Sequence, residues 1–357
     1  MKTPGGQRRK TTEARGALVA QVLAGSWRLD PPPLELDLPT LSEISPLLVK
    51  AGVGGLAWRR IKGTDLRTSR SALRLQHVHR YNTLYNMIHA SSLKEALVLL
   101  RAHGIEPLLV KGWSLGSLYP EVGLRPFGDI DFCVREEEFP AASALLRDAG
   151  DVRALVDLHS GFEKFYDYRT EELFARSRFI KLDDLDVRVL CAEDHFRFLC
   201  LHLLRHGATR ALWLCDIAAA LEAHPAEFDW DLCLGNRRSQ AEWVVGVVTL
   251  ARELLAVKIE DVPVLRRVKA LPRWFVSTVL AEWGTLFDFP DQVALRLRQP
   301  VALLKELPRH WPNPIEATMD LHGRLNELPR WPFQIGEVVA KTARLLIQTR
   351  GLWRTPG

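Results

Sequence analysis

The chain has few cysteines. Five stand at 133, 191, 200, 215 and 233, with no Cys-x-x-Cys pair and no even framework. That excludes a zinc ribbon and a disulfide-stapled secreted scaffold, and reads as reduced, buried thiols in a cytoplasmic protein. Long apolar runs are missing too, since none approaches the ~20 residues of a membrane span. The opening MKTPGGQRRKTTEARG lacks the apolar core of a signal peptide. A broad basic surface is also absent. Of the net charge of +5 at pH 7, Lys2, Arg8, Arg9, Lys10, Arg15 and Arg28 against Glu13 and Asp30 place +4 in the first thirty residues. With the rest near neutral and no nucleic-acid module recognisable, polymerisation on nucleic acid is not expected. The basic end reads as a solvated, flexible terminus ahead of a nucleic-acid or lipid contact.

What is present is a core. A hydrophobic share of 47 % with 25 % charged residues is ordinary for a soluble chain, and 357 residues suit two or three units. Residues 1–104 read as mainly helical: Thr11-Thr12 to Leu23, then a stiff Pro31-Pro32-Pro33 linker, Ser42 to Ala51, Val53 to Ile61 and Ser69 to His103. The last has no Pro or Gly, so one long helix or two consecutive ones are expected.

The pattern changes at Glu106 to Val134, EPLLVKGWSLGSLYPEVGLRPFGDIDFCV. Pro107 to Val110 is a short apolar run stopping at Lys111-Gly112, as a buried strand does. Trp113 to Tyr119 has helical spacing, ended by Pro120. Asp129 to Val134 is a strand that opens with two acids. Strand side chains alternate, so Asp129 and Asp131 project from one face. Two carboxylates held that way are costly unless a cation lies between them. A hard divalent ion, Mg²⁺ or Mn²⁺, carrying a nucleotide phosphate suits that place.

Taken in order, Lys111-Gly112, Tyr119-Pro120 and Arg125-Pro126-Phe127-Gly128-Asp129-Ile130-Asp131 resemble the nucleotidyltransferase superfamily that includes DNA polymerase beta. The closer likeness is to a bacterial branch usually called uncharacterised nucleotidyltransferases. The resemblance implies an α+β fold: a small mixed β-sheet core, residues 105–191, embedded in a mostly helical chain, with helical regions 1–104 and 192–357 on either side. It implies metal binding by Asp129 and Asp131, and a triphosphate held by Lys111, Gly112, Ser114 and Arg125. Gly112 would lie where strand turns into helix, with backbone N–H groups toward the phosphates. Trp113 departs from the superfamily pattern, which has Gly or Ser there. A second register, Leu115-Gly116-Ser117, fits the general spacing but places its glycine one turn into the helix.

Phe139 to Ala149 reads as an amphipathic helix and Asp151 to His159 as a strand. The resemblance gives Asp157 the third carboxylate. The residues alone also allow Asp157 and His159 to form a strand-end hydrogen bond. Phe174 to Leu190 alternates as a hairpin, with solvated acids Asp183, Asp184 and Asp186 and with Arg188 aimed at the site. Helix Glu193 to His206 places His195, His202 and His206 on one face, and helix Thr209 to Ala223 carries Asp216. His202 and His206 are spaced to bind a metal or to share a buried hydrogen-bond pair with Asp216. Without a third ligand the structural or substrate-pocket role is preferred. His159, Arg188, His202, His206 and Asp216 are the candidate substrate pocket.

Helices are expected near 240–256, 262–285, 300–307 and 334–349. A Leu-Pro-Arg-Trp-like phrase at Leu271, Leu307 and Leu328 recurs at unequal intervals, so it is no solenoid repeat. It is read as core packing at helix starts ahead of a membrane interface. The expected activity moves a nucleoside monophosphate from a nucleoside triphosphate to a small-molecule or peptide acceptor. The alternatives are a nucleotide-binding protein without turnover, favoured by Trp113, and a peripheral scaffold using the tryptophan-rich C-terminal region.

Overall fold

Apolar periodicity near four before the sheet, near two within it and near four again after it divides the chain into helix, sheet and helix. The computed structural model describes residues 4–150, 155–161, 169–182, 184–259, 270–286, 311–326 and 330–352. First come α1 (Pro4–Leu23), α2 (Leu38–Lys50), α3 (Gly54–Ile61) and α4 (Arg70–Ala102). The central part holds β1 (Leu108–Leu109), a 3-10 helix (Gly112–Leu118), β2 (Ile130–Val134), α5 (Phe139–Asp148), β3 (Val156–Ser160), α6 (Thr170–Arg176), β4 (Arg178–Leu182) and β5 (Leu185–Val189). Then follow α7 (Ala192–Arg205), α8 (Ala211–Glu222), α9 (Trp230–Leu234), α10 (Arg238–Leu255), α11 (Arg273–Trp283), α12 (Pro314–Asp320) and α13 (Trp331–Leu352). The expected helix 300–307, residues 262–269 of another, the start of the Asp151 strand and Asp183 lie outside the described residues.

Capping sets the helix limits that periodicity missed. Asp37 accepts from the Thr40 amide at 2.9 Å, so α2 begins four residues before Ser42. Ser69 caps α4 through the Ala72 amide at 3.2 Å, and α4 then runs as one unbroken helix. The basic end is not a free tail: α1 starts at Pro4 and packs along α11. A Cβ on Gly16 would stand 1.9 Å from the Leu280 carbonyl oxygen, so only glycine lets these backbones meet. Arg9 is tied to Glu13 at 2.9 Å and Ser277 at 2.8 Å.

The sheet order is β3-β2-β1-β5-β4, mixed as expected, with β2/β3 and β1/β5 parallel and β1/β2 and β4/β5 antiparallel. Its faces differ. Leu109, Ile130, Phe132, Val134, Val187 and Val189 pack on Leu93, Leu97 and Leu100 of α4 and on Ala142 and Leu146 of α5. Leu108, Val110 and Cys133 belong to the other core, with α7, α8 and the N-terminal helices. Asp131 shares the Cys133 face, so it looks toward α7 and α8. Of the recurring phrase, Trp274 packs against Trp243 and Phe275, while Trp311 and Trp331 are exposed. No described helix is long and apolar enough to cross a membrane.

Candidate active site

Register brings the acids together. Asp131 and Asp157 are direct partners across parallel β2 and β3, and His159 follows on the same face of β3. His159 Nε2 lies 3.5 Å from Asp131 Oδ1 and 3.3 Å from Asp157 Oδ2. One ligand atom from each of Asp131, Asp157 and His159 falls within 4.8 Å of the others. Asp129, exposed at the mouth of β2, joins them electrostatically. Partial burial and then the charge of Asp131 hold its carboxyl above the usual range.

Asp131 is 1 % exposed. Burial pushes its carboxyl up, but the hydrogen bond from His159 and the charge of Lys111 outweigh it, and the net shift is downward. Lys111 Nζ sits 2.7 Å from Oδ1. Asp131 Oδ2 is buried with no hydrogen-bond partner. A buried carboxylate oxygen is normally satisfied. A divalent cation among Asp129, Asp131, Asp157 and His159 would satisfy it, so these residues fit the metal that the acids imply.

These groups open on a cavity of about 560 Å³ lined also by Lys111, Gly112, Arg125, Phe198, His202, His206 and Trp213. Gly112 has φ of +66°, which a side chain resists, although a Cβ would meet nothing nearer than 3.8 Å. The strand-to-helix turn therefore falls at Gly112 rather than Gly116. Trp113 turns away and stacks on Phe127 with centroids 4.2 Å apart, so the indole leaves the cavity open.

Other expected site residues are placed differently. Ser114 Oγ lies 3.2 Å from His195 Nε2 and does not reach the cavity, because the 3-10 turn points it under α7. Arg125 lines the cavity, yet its guanidinium is spent on Asp216: Nε to Oδ1 at 2.8 Å and Nη2 to Oδ2 at 2.9 Å. Tyr119 donates to the same Oδ1 at 2.6 Å. Asp216 is thus the buried partner of Arg125 and Tyr119, not of the histidines, and the cluster pins the 119–127 loop to α8. Asn82 and Asn86 of α4 hold that loop from the other side through the carbonyls of Gly123 and Arg125. Arg188 bonds Ser177 Oγ at 2.7 Å and lies over the Phe179 ring, outside the cavity. His202 and His206 do line it, and their ring centroids are 4.5 Å apart.

Sequence reasoning passed over Lys50, Phe198, Arg210 and the indole of Trp213 as wall residues. Trp213 stands three residues before Asp216, on a helix that the apolar period already marks. Lys50 had no local signal, since α2 reaches the site only through the fold.

Two other places compete on size or charge. A cavity of about 740 Å³ beside α10 holds Glu242, which Arg238 and Arg324 pair. The acids Glu316, Asp320 and Glu337 gather around Lys341, which is 2.9 Å from Glu316 and 3.4 Å from Glu337. Each carries its own cation.

No curated protein and no solved structure matches the chain. A family profile does match, over residues 41–155 and 152–255, more than half of the chain and every residue that lines the acidic cavity. The chain therefore belongs to the family described as uncharacterised nucleotidyltransferase, and is an enzyme of that type.

Proposed function

We propose that the enzyme moves a nucleoside monophosphate from a nucleoside triphosphate to a hydroxyl, amine or phosphate on a small-molecule or peptide acceptor, with Mg²⁺ or Mn²⁺. The observation that carries this is the buried, unpartnered Oδ2 of Asp131, beside Asp157 and His159 at the end of a cavity. A divalent ion held there by Asp129, Asp131, Asp157 and His159 would supply positive charge against the charge that develops during transfer.

The chain's own groups supply the rest. Asp129 and Asp131 would hold the ion that accompanies the triphosphate. Asp157, half-exposed at the mouth, takes the proton of the attacking group. Lys111 is the counter-ion of Asp131 before substrate arrives, and its long stem lets the ammonium turn to a phosphate oxygen afterwards. Gly112 keeps the adjoining turn free of a side chain. Arg125 acts by holding the loop that leads into Asp129. Positioning and charge neutralisation do most of the work in such transfers. The free thiols at all five cysteines suit a cytoplasmic setting.

Calorimetry with each of the four nucleoside triphosphates tests the reading. Binding is expected with Mg²⁺ or Mn²⁺ and not in EDTA, where the acids repel bare phosphate. Asp131→Asn weakens it. Asp157→Asn, at the more exposed carboxylate, weakens it less, while pyrophosphate release with a cell extract as acceptor source falls at least ~100-fold. Equal binding in EDTA, or wild-type turnover in both variants, refutes the assignment.

A further inference from the structure

The cavity has a second wall that metal and phosphate chemistry leaves unused. Phe198 and His202 of α7, His206 just beyond it and Trp213 of α8 form it. The ring centroids lie 6.0 Å apart for Phe198 and His202, 4.7 Å for His202 and Trp213, and 5.2 Å for His206 and Trp213. Arg210 lies over the Trp213 ring at 5.3 Å.

Burial favours the neutral form of both imidazoles. Burial, then the charge of Lys111, brings His202 down to about 3, and the same two causes lower His206. Among the described residues, no protein group hydrogen-bonds a ring nitrogen of either. Each ring therefore offers one N–H and one bare nitrogen to whatever fills the cavity. The four rings themselves carry no charge for a phosphate or a carboxylate. They suit an uncharged planar ring with donors and acceptors on its edge. His202 feels the charges of Lys111 and Asp131, and all three line the one cavity. Phosphates at one end and a flat hydrogen-bonding ring at the other are the two ends of one nucleotide.

We infer that Phe198, His202, His206 and Trp213 form the seat of the nucleobase, stacking on the rings and reading its edge with the two imidazoles. This rests on the nucleotidyl-transfer reading. Lys50 and Arg210 also line the cavity; Lys50 Nζ holds the Thr285 carbonyl at 3.1 Å, and Arg210 lies against Trp213.

Calorimetry on the full chain with Mg²⁺ compares nucleoside triphosphates with inorganic tripolyphosphate, which has the charge and no base. Wild type is expected to bind a nucleoside triphosphate more tightly than tripolyphosphate. Trp213→Ala should weaken the nucleotide roughly 10- to 100-fold, the scale of a lost base stack, and leave tripolyphosphate unchanged. His202→Phe keeps the ring and the packing but removes the nitrogens, and should narrow the spread of affinities among the four nucleotides. Melting curves of both variants confirm folding.

If tripolyphosphate binds with metal but neither variant weakens the nucleotide, the base seat is refuted and the transfer reading stands. If only the KM for an acceptor rises, the wall belongs to the acceptor and the inference is likewise refuted. If wild type binds neither ligand with metal, both readings fall.

Discussion

The sharpest test of the site's architecture is Arg125→Met. Sequence resemblance gives Arg125 to the triphosphate, whereas the structure ties it to Asp216. The side chains are 9 % and 1 % exposed. Asp216 has two bonds from Arg125 and one from Tyr119. Burial works against the Arg125 charge, but Asp216 overcomes it and raises the guanidinium above its usual value. Methionine fills much the same volume, so the cavity term is small. What is lost is the pair of charge-assisted hydrogen bonds, leaving a buried carboxylate with Tyr119 alone. Removing one partner of a buried ion pair costs about 3–5 kcal/mol. Urea unfolding followed by tryptophan fluorescence should show that loss as a lower midpoint with unchanged slope. Arg125→Met with Asp216→Leu should recover at least half of it, because the isolated charge is gone. Unchanged stability in Arg125→Met, together with lost nucleotide binding, would refute the structural role and return Arg125 to the phosphates.

Three further outcomes follow from the same geometry. Gly112→Ala, at φ of +66°, should cost about 1–2 kcal/mol in backbone strain, whereas Gly116→Ala should cost little; equal melting temperatures would move the turn. Folding holds His202 down to about 3 against a usual 6.5, so the unfolded chain takes up its proton first. Its share of stability is therefore full above 6.5 and lost as pH falls toward 3, and His202→Phe should flatten the acid limb of a stability–pH curve. With His159 beside Asp131 and Asp157, titration without nucleotide should show Mn²⁺ binding more tightly than Mg²⁺, and His159→Asn should narrow that gap, since imidazole favours transition ions. No change in the gap would remove His159 from the ligand set.

Much was legible because local chemistry wrote it. The Asp129–Val134 strand had to put both acids on one face, and the apolar run before Lys111 had to become a buried strand, since pleat and burial need no knowledge of distant residues. Period and the absence of breakers gave helix over Ser69 to His103 and left one or two open; the structure makes it one. The limits of α1 and α2 were not legible from period alone. Asp37 extends α2 by a cap, and α1 reaches back to Pro4 against α11, a helix more than 250 residues away in sequence.

By itself the sequence determined the α+β class, the acid pair and the turn at Lys111-Gly112, because alternation along a strand and the φ freedom of glycine are properties of a few neighbouring residues. Only tertiary structure decided who meets whom. Parallel pairing set Asp157 opposite Asp131 and brought His159 to both. Packing of the 119–127 loop against α8 gave Arg125 and Tyr119 to Asp216. That left the imidazoles of His202 and His206 facing the cavity beside Trp213. A buried charge takes the nearest partner that can satisfy it, and which partner is nearest is set by how helices and strands from distant parts of the chain come to lie together.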